Sequence, residues 1–364
     1  MRSVNERRKE YQKELEQAQE WYSVRHMLSY ANWALFYILL GGREAGKSYS
    51  VTNFFCRQFA NKGIPFIWLR LTDKATGKLL NNNAEKLVDP DLRRKYNLDL
   101  VTSGNNVYHV TKRSEPDKNG KRKIIEKKLF ARVYALSTFY NDKGSIFDKD
   151  FLNDLTMRYN IAIDEFEREK GERNTFDITY SLVNQLENLV RSTKERTKIF
   201  FLGNTLEDAS DILCAFNFIP EQFGIYKLKS KRCVIEYIEP SEAYLKRRKG
   251  TIADILMPTA STFTNKINID NTLVNKKPLI HPSKVIKFTK NPKDWFTLWD
   301  GGIINKYNGE KKEVIAMRPY LDEVYQAELM NNVIQLFDTR SFTYHNLITF
   351  KQFQNCIALL KPRQ

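Results

Sequence analysis

The chain has 364 residues, of which 42% are hydrophobic, so it is long enough for two domains with a substantial core. Lys and Arg outnumber Asp and Glu by 59 to 43, and the net charge of +16 indicates a polyanionic partner such as nucleic acid, with a generally basic soluble protein as the alternative. The four cysteines lack CxxC spacing and no apolar run approaches the ~20 residues of a membrane span, which excludes a zinc ribbon, a disulfide framework and a transmembrane protein.

The N-terminal segment is highly charged. Residues 4–22 are rich in Glu, Lys, Arg and Gln and contain neither Pro nor Gly, which predicts a solvated helix. We assign residues 1–24 to a charged helical arm, which either docks on a neighbouring subunit or is a frayed terminal helix. Because the segment lacks an apolar leader, we expect an intracellular protein.

A phosphate-binding motif follows the arm. An apolar run at 34–40 predicts a strand, and residues 47–61 predict a helix. Between the two, the chain carries the eight residues of the pattern GxxxxGK[ST], which are Gly41, Gly42, Arg43, Glu44, Ala45, Gly46, Lys47 and Ser48.

The residue types of this motif suit a nucleoside triphosphate. Gly41 and Gly46 let the backbone curl so that its N–H groups face phosphate, and the following helix adds its positive end. Lys47 is expected to reach the β- and γ-phosphates, and the Ser48 hydroxyl is expected to ligate Mg²⁺. Arg43 is a second candidate for a phosphate contact, or a switch between nucleotide and nearby acids. The motif therefore predicts ATP and Mg²⁺ as ligands.

Two later apolar runs end in polar residues. Residues 159–165 predict a strand ending in Asp164 and Glu165, and residues 197–204 predict another ending in Asn204. In ATPases with a strand-based core, residues at the end of such a strand bind the metal ion and activate the attacking water. Asp164 would hold Mg²⁺, Glu165 would polarise the water that attacks the γ-phosphate, and Asn204 would sense whether that phosphate is present.

Basic residues end the helix that the sequence predicts over 176–195. Arg191 or Arg196 could act as an arginine finger on a neighbouring subunit's nucleotide, where its charge stabilises the equatorial oxygens of the transition state. Basic residues also occur at helix C-termini for electrostatic reasons alone, so this role is a hypothesis for the pair, with Arg191 favoured.

The remaining elements complete the predicted core. A strand at 65–70 ends in Arg70, for which we expect a subunit interface. Residues 108–111 and 128–135 are predicted to pair around the basic loop 112–123, which either touches DNA or is a solvated hairpin tip. The alternation of apolar strands with helices predicts an α/β fold with a mainly parallel sheet.

The amino-acid composition of the sequence changes after about residue 225. We predict an ATPase domain over 25–225, a linker segment over 226–284 that contains basic clusters and prolines, and a small α+β domain over 285–364.

Several segments resemble the DNA-encapsidation ATPases of small short-tailed bacteriophages with protein-primed linear genomes. These segments are His26-Met27-Leu28-Ser29-Tyr30, Gly41–Ser48, Ile163-Asp164-Glu165-Phe166-Glu167-Arg168-Glu169-Lys170, and Glu195-Arg196 with the following Phe201-Leu202-Gly203-Asn204. The resemblance covers about residues 25–205, and beyond it only 295–300 and the final helix are faintly similar.

This resemblance implies an additional-strand, terminase-like P-loop ATPase. Such proteins form a homomeric ring, typically a pentamer, on the portal (connector) of an empty procapsid and drive double-stranded DNA inward by hydrolysing ATP. Some use a structural packaging RNA as a scaffold. The resemblance therefore implies a protein of the host cytoplasm that resides transiently at the portal vertex and has no membrane partner.

The resemblance also implies roles for individual residues. It assigns nucleotide binding to Gly41–Ser48, Mg²⁺ binding to Asp164 and the catalytic base to Glu165. It assigns the trans-acting arginine to Arg191 or, because the alignment needs a one-residue gap, to Arg196. The C-terminal domain is expected to resemble a vestigial RNase H-like nuclease that binds DNA or the portal, since only Asp300 among its acids falls on a predicted strand.

Two other function classes fit the same motifs. One is a different P-loop translocase, either a helicase or a loader of DNA replication proteins. The other is a nonenzymatic scaffold in which nucleotide only locks an assembly. Glu165 discriminates between the motor and the scaffold, because only an enzyme needs a residue that activates water.

Overall fold

The computed structural model describes residues 21–118, 120, 122–139, 160–166, 178–190, 197–204, 210–256 and 271–360. The chain divides into two compact units, of which the first comprises residues 1–206 and 222–266 and the second comprises residues 207–221 and 267–364. The segment 207–221 thus groups with the C-terminal residues, whereas the sequence prediction places it in the ATPase domain. Most of the predicted N-terminal arm lies outside the described residues.

The secondary structure alternates strands and helices along most of the chain. The strands are β1 (Phe36–Leu40), β2 (Phe66–Arg70), β3 (Leu100–Ser103), β4 (Asn106–Arg113), β5 (Ile124–Ala135), β6 (Asn160–Asp164), β7 (Lys198–Gly203), β8 (Gly224–Leu228), β9 (Cys233–Tyr237), β10 (Pro282–Lys287), β11 (Trp295–Trp299), β12 (Ile303–Lys306), β13 (Glu313–Ala316) and β14 (Thr343–Tyr344). The helices are α1 (Arg25–Tyr30), α2 (Lys47–Lys62), α3 (Asp73–Ala84), α4 (Pro90–Tyr96), α5 (Leu136–Phe139), α6 (Ile178–Val190), α7 (Asp211–Ala215), α8 (Glu242–Arg248), α9 (Ile252–Leu256), α10 (Ala327–Asp338) and α11 (Leu347–Ala358).

The first unit is built on a nine-stranded sheet. Its strand order is β3-β4-β5-β2-β6-β7-β1-β9-β8. Six neighbouring strands in this order, namely β5, β2, β6, β7, β1 and β9, run parallel to one another. At the flanks, β3, β4 and β8 are antiparallel to their neighbours. The prediction of an α/β fold with a mainly parallel sheet is therefore confirmed.

One strand separates the phosphate-loop strand from the strand that carries the acids. β7 pairs with β6 on one side and with β1 on the other, so that Asp164 lies opposite Leu202 and Leu40 lies opposite Gly203. Because the three strands are parallel, their carboxyl ends meet at the same edge of the sheet. This strand order brings the loop after β1, the acids after β6 and the residue after β7 together.

An aromatic cluster fixes α2 on the sheet. The Phe55 ring packs 4.8 Å from Phe66 and 5.5 Å from Phe200, measured between ring centroids. Phe59, one turn further along the helix, packs 4.9 Å from Phe130. Each such aromatic residue buries a large apolar area, so the cluster holds α2, and with it the residues at its first turn, at a fixed height on the sheet.

The segment that the sequence assigns to a linker contains part of this sheet. β8 and β9 form a hairpin, and β9 pairs in parallel with β1 through five buried residues. The physical reason is that Val234 and Ile235 provide an apolar strand that the central sheet can bury, although basic residues on either side of the hairpin turn mask the pattern. The sequence prediction of a linker over 226–284 differs from the structure over this hairpin.

The second unit contains a five-stranded mixed sheet with the order β13-β10-β11-β12-β14. Its core is formed around Phe353 of α11, whose ring contacts Phe288 and Phe296 at 5.2 and 5.1 Å. Asn355 of α11 donates a hydrogen bond of 2.9 Å to Asp211, which attaches α7 to this unit. Asp300 lies exposed in the turn after β11, not on a strand as the sequence prediction has it.

Within the part of the chain that the structure describes, no helix has both the length and the apolar character that crossing a bilayer requires.

Candidate phosphate-binding and acidic site

The phosphate loop connects β1 to α2 with one left-handed glycine at the helix start. Gly46 adopts φ +93° and precedes the first turn of α2. A side chain at this φ would be strained, and a Cβ there would also lie 3.3 Å from the Trp21 ring. Gly41 does not use the left-handed region, because it continues β1 and its N–H donates to Gly203 O at 3.3 Å.

Lys47 is buried within the loop. Its Nζ donates to the carbonyl oxygens of Gly41 and Gly42, both at 2.7 Å, and lies 3.4 Å from Oδ1 of Asn204. The side chain is 6% exposed. These acceptors hold the ammonium group inside the loop, and a bound phosphate would replace at least one of them as its hydrogen-bond partner.

Ser48 and Asp164 come together across β7. The Ser48 hydroxyl donates to Oδ1 of Asp164 at 3.2 Å, although the two residues are 116 positions apart in the chain. A hydroxyl and a carboxylate are the protein ligands that Mg²⁺ takes in phosphoryl-transfer sites. The donor set at this edge of the sheet therefore fits Mg²⁺ bound with a nucleoside triphosphate.

Both acids at the end of β6 contact one arginine. Nη2 of Arg70 lies 2.8 Å from Oδ2 of Asp164, and Nη1 of the same guanidinium is hydrogen-bonded to Glu165. Glu165 adopts φ +53°, in the left-handed region that ordinary residues seldom occupy. This turn of the backbone explains how two adjacent residues at a strand end both reach the site.

Asp164 is almost fully buried, whereas Glu165 is more than half exposed. Burial raises the pKa of Asp164, and the charges of Arg70 and Lys47 oppose that rise. Asp164 therefore depends on neighbouring cations for its ionised form. Glu165, with its greater exposure, is the carboxylate that water can approach.

These residues line an open cavity of about 450 Å³. Its walls are the phosphate loop from Arg43 to Tyr49, the two acids, Leu202 and Asn204. The cavity combines a buried lysine, the start of a helix, a hydroxyl–carboxylate pair and an accessible second acid. Its size and chemistry fit the triphosphate and metal that the sequence motif predicts.

Helix α8 supports the outer part of the phosphate loop. The Tyr244 hydroxyl donates to Arg43 O at 3.0 Å, and Arg247 donates to Glu44 O at 2.9 Å. Nη1 of Arg248, a nearly buried side chain, lies 2.9 Å from the Glu44 carboxylate. Two carbonyl groups and one carboxylate of the loop are thus held by a helix about 200 positions further along the chain.

The segment before α1 supports the loop from another direction. The Tyr22 N–H donates to Ala45 O at 3.0 Å, and the Val24 N–H donates to the Ser50 hydroxyl at 2.8 Å. The Trp21 ring lies 3.6 Å from the Arg247 guanidinium carbon, in cation–π geometry. The segment and α8 therefore contact each other as well as the loop.

The structure brings most of the sequence-predicted site residues into one place. Arg43–Ser48, Asp164, Glu165 and Asn204 line a single cavity, and Gly41 and Gly42 contact it through the Lys47 ammonium group that their carbonyl oxygens hold. Arg191 and Arg196 lie outside the described residues, and Arg43 is exposed at the mouth of the loop.

Other contacts of the site are not apparent from the sequence. Arg70, for which the sequence suggests a subunit interface, contacts both acids, and its position at the end of a strand is the signal that could have placed it there. The contacts of Tyr244, Arg247 and Arg248 have no local sequence signal.

Comparison with solved structures identifies the fold. A chain of the Phi-28 gp11 DNA packaging motor matches with a TM-score of 0.62 and 15% sequence identity, over 95% of this chain and 99% of that chain. A chain of the bacteriophage Phi-29 viral genome packaging motor assembly matches with a TM-score of 0.62 and 18% identity, over 94% of this chain and 100% of that chain. No protein-family model matches the sequence, and a search of curated proteins found no match. At these identities the likeness establishes the fold, and over nearly its whole length this chain has the fold of these two packaging-motor chains.

Proposed function

We propose that this chain is an ATP-driven motor that moves double-stranded viral DNA into a preformed procapsid. The observation that carries the proposal is the meeting of Ser48 and Asp164 at 3.2 Å, with Glu165 exposed beside them in the phosphate-loop cavity. A metal-ligand pair next to an accessible carboxylate is the arrangement that ATP hydrolysis needs. The whole-length fold likeness to two packaging-motor chains supports the substrate and the biological role.

The proposed chemistry assigns one task to each group. Lys47 and the loop N–H groups would bind the β- and γ-phosphates. Ser48 and Asp164 would hold Mg²⁺, whose charge would offset the negative charge that develops on the phosphate oxygens. Glu165 accepts a proton from the attacking water. The water oxygen bonds to the γ-phosphorus, and the bond from that phosphorus to the bridging oxygen breaks to leave ADP. Asn204, whose Oδ1 lies 3.4 Å from Lys47 Nζ, would sense whether the γ-phosphate is present.

The base of the nucleotide has a candidate site beside the loop. A cavity of about 280 Å³ adjoins Ala45, and its lining combines the aromatic residues Trp21, Tyr22 and Tyr244 with polar and acidic side chains, among them Glu236 and Glu239. Aromatic walls with a few polar groups suit a planar heterocycle. We propose that the adenine ring of ATP occupies this cavity.

The motor function requires more than one subunit. We propose a homomeric ring, a pentamer, on the portal of the procapsid, in which Arg191 or Arg196 completes the ATP site of a neighbouring subunit. The ring would assemble in the host cytoplasm and act transiently at the portal vertex, and a structural packaging RNA is a further candidate partner. DNA contacts should be made mostly by Lys and Arg with phosphate, because a motor must accept every sequence.

The test is ATP turnover by wild type and Glu165→Gln, each with and without duplex DNA and empty procapsids. The wild-type protein should hydrolyse ATP faster when both are present. Glu165→Gln should keep nucleotide binding, because Lys47, Ser48 and Asp164 are intact, and should lose at least about 100-fold in turnover. Unchanged turnover in this variant would remove Glu165 as the base.

A strand-separation assay run beside the turnover assay distinguishes the alternative functions. A helicase would separate the strands of a duplex, whereas the proposed motor moves along duplex DNA without unwinding it. A nonenzymatic scaffold would bind nucleotide without turnover in wild type as well as in the variant.

A further inference from the structure

A basic hairpin projects from the first unit as a two-stranded ribbon. We define the basic ribbon as residues 110–113 of β4, residues 124–128 of β5 and the described turn residues 114–118, 120, 122 and 123. The pairing of β3 with β4 ends at His109, and the pairing of β2 with β5 begins only at Ala131. In the described part of the chain, no strand covers either outer edge of the ribbon.

Hydrogen bonds just beyond the ends of β4 and β5 close the base of the turn. The Ser114 N–H donates to Lys123 O at 2.8 Å, and the Lys123 N–H donates to the Ser114 hydroxyl at 2.9 Å. Closer to the sheet, Arg113 is ion-paired with Asp99 at 2.7 Å. These contacts fix the base of the turn, so the side chains on the ribbon are displayed from an ordered scaffold.

The ribbon is strongly positive. Residues 112–128 contain eight Lys and Arg against three Asp and Glu. Lys112, Lys123 and Lys128 are all exposed, and among the described residues they form no ion pair. Lys127 points to the opposite face of β5 from Lys128, and its ammonium group lies 4.1 Å from the centre of the Tyr108 ring.

The ribbon leaves the sheet on the side away from the phosphate loop. β5 is parallel to β2, and the carboxyl end of β2 carries Arg70, which contacts the two acids of the candidate site. The ribbon begins at the amino end of β5 and therefore at the opposite edge. Changes to its exposed lysines should leave the phosphate-binding residues undisturbed.

We propose that the basic ribbon is a contact site for the phosphate backbone of duplex DNA. The inference rests on the proposed function, which supplies DNA as the partner. Successive residues of a strand are ~3.4 Å apart, and a duplex presents one phosphate charge per ~1.7 Å of its axis, so an extended row of lysines can meet several phosphates. A two-stranded ribbon also has the width that a major groove admits.

The experiment compares duplex DNA binding by wild type and the triple variant Lys112→Gln, Lys123→Gln, Lys128→Gln. A fluorescently labelled duplex is titrated at several salt concentrations, with and without a nonhydrolysable ATP analogue. Each lost phosphate contact lowers the slope of log affinity against log salt by about 0.9, so the triple variant should lose 2 to 3 in slope, and about 10-fold or more in affinity at low salt. Its ATP turnover without DNA and its melting temperature should equal those of wild type.

The matched control removes three lysines from the hairpin at the other flank of the sheet. Lys227→Gln, Lys229→Gln, Lys231→Gln changes the net charge equally and should stay within about twofold of wild type in DNA affinity. The proposal is overturned if the ribbon variant binds DNA like wild type or loses no more than the control. An effect seen with double-stranded RNA and not with DNA would overturn the assignment to DNA. Failure of the wild-type protein to bind any duplex would instead overturn the proposed function itself.

Discussion

Arg70 Nη2 lies 2.8 Å from the Asp164 carboxylate, and both side chains are largely withdrawn from solvent, at 16% and 6% exposed. The same guanidinium is hydrogen-bonded to Glu165. Arg70 thus offsets a buried negative charge and at the same time engages the carboxylate that we propose as the base. A metal ion bound to Asp164 would share the first of these tasks with Arg70, because it also places positive charge beside that carboxylate.

Replacing Arg70 should destabilise the protein in a ligand-dependent way. Arg70→Met leaves Asp164 without its closest cationic partner, and breaking a buried ion pair in this way costs about 3 kcal/mol. We expect a melting temperature lower by about 6–10 °C without ligands, and a smaller loss with Mg²⁺ and a nonhydrolysable ATP analogue. Differential scanning fluorimetry in both conditions measures the effect.

An exposed ion pair provides the control for this prediction. Arg94 and Asp91 are paired on α4 but are 78% and 66% exposed, so Arg94→Met should cost less than about 1 kcal/mol and should not depend on nucleotide. Equal losses for the two variants, or a loss in Arg70→Met that Mg²⁺ and nucleotide do not reduce, would contradict the role given to Arg70.

Gly203 is closely packed against Phe166, the residue that follows the proposed catalytic base Glu165. A Cβ at position 203 would lie 2.8 Å from two ring carbons of Phe166 and 3.0 Å from Leu40 Cδ2. Gly203→Ala should therefore displace Phe166, destabilise the protein by about 1–3 kcal/mol and lower ATP turnover, because Glu165 is bonded directly to Phe166. Urea denaturation and turnover per folded molecule report the two effects separately.

The matched substitution is Gly77→Ala on α3. Gly77 has no atom within 4 Å of an added Cβ and lies in a helix, so alanine there should leave turnover unchanged and stabilise the protein by about 0.5–1 kcal/mol. Wild-type turnover in Gly203→Ala would show that Phe166 moves without affecting the site.

Tyr244 should influence ATP affinity more than the chemical step. Its buried hydroxyl donates to Arg43 O, so Tyr244→Phe removes one support of the phosphate loop and costs about 1 kcal/mol. The loop must then be ordered when ATP binds, and we expect the KM for ATP to rise about 3–10-fold with a smaller change in kcat. Steady-state kinetics over a range of ATP concentrations measure both.

Tyr226→Phe is the control, because the Tyr226 hydroxyl also donates to a backbone carbonyl, that of Gln222, outside the phosphate loop. It should leave the KM for ATP unchanged. A similar KM for Tyr244→Phe and wild type would mean that α8 does not order the loop for binding.

The sequence predicts the parts of the site but not all of their contacts. The phosphate loop and the end of β6 are recognisable because long apolar runs lead into unusual polar residues. That Arg70 meets Asp164 depends on β2 being the neighbour of β6, and strand order in a sheet is set by packing of the whole chain. The residue at which a strand ends can be predicted from the local sequence, whereas the strand that pairs with it in the sheet cannot.

Contacts between distant segments were beyond sequence reasoning for a related reason. Tyr244 and Arg43 are 201 positions apart, and no pattern around Tyr244 marks it as a partner of the loop. The sequence does not predict β9 as a strand, because only five residues form it and basic residues precede it. Short strands with charged flanks carry too little periodicity to be separated from a linker.

His26 should make stability depend on pH through its contact with Glu236. Its Nδ1 lies 2.6 Å from Ser23 O and its Nε2 lies 2.8 Å from Glu236 Oε1, so both ring nitrogens face oxygen acceptors and the ring satisfies both only when doubly protonated. The hydrogen bond to Glu236 raises the pKa of His26 above its ordinary value of 6.5, against a smaller opposing effect of burial. The Tyr22 hydroxyl donates to the other Glu236 oxygen at 2.6 Å, and burial raises the pKa of Tyr22 well above its ordinary value, so it stays a neutral donor.

Because the pKa of His26 is higher in the folded than in the unfolded chain, its stabilising contribution is complete below the unfolded value and is lost as pH rises through the folded value. The melting-temperature difference between wild type and His26→Gln should therefore be largest below about pH 6.5, the unfolded-state pKa, and shrink as the pH rises through the higher pKa of the folded state. In a Glu236→Gln background the acceptor charge is absent, and the same His26 substitution should show a weaker dependence on pH. A difference that stays constant with pH in the native background, or that persists fully without the Glu236 carboxylate, would show that His26 is not held as a cation by this contact.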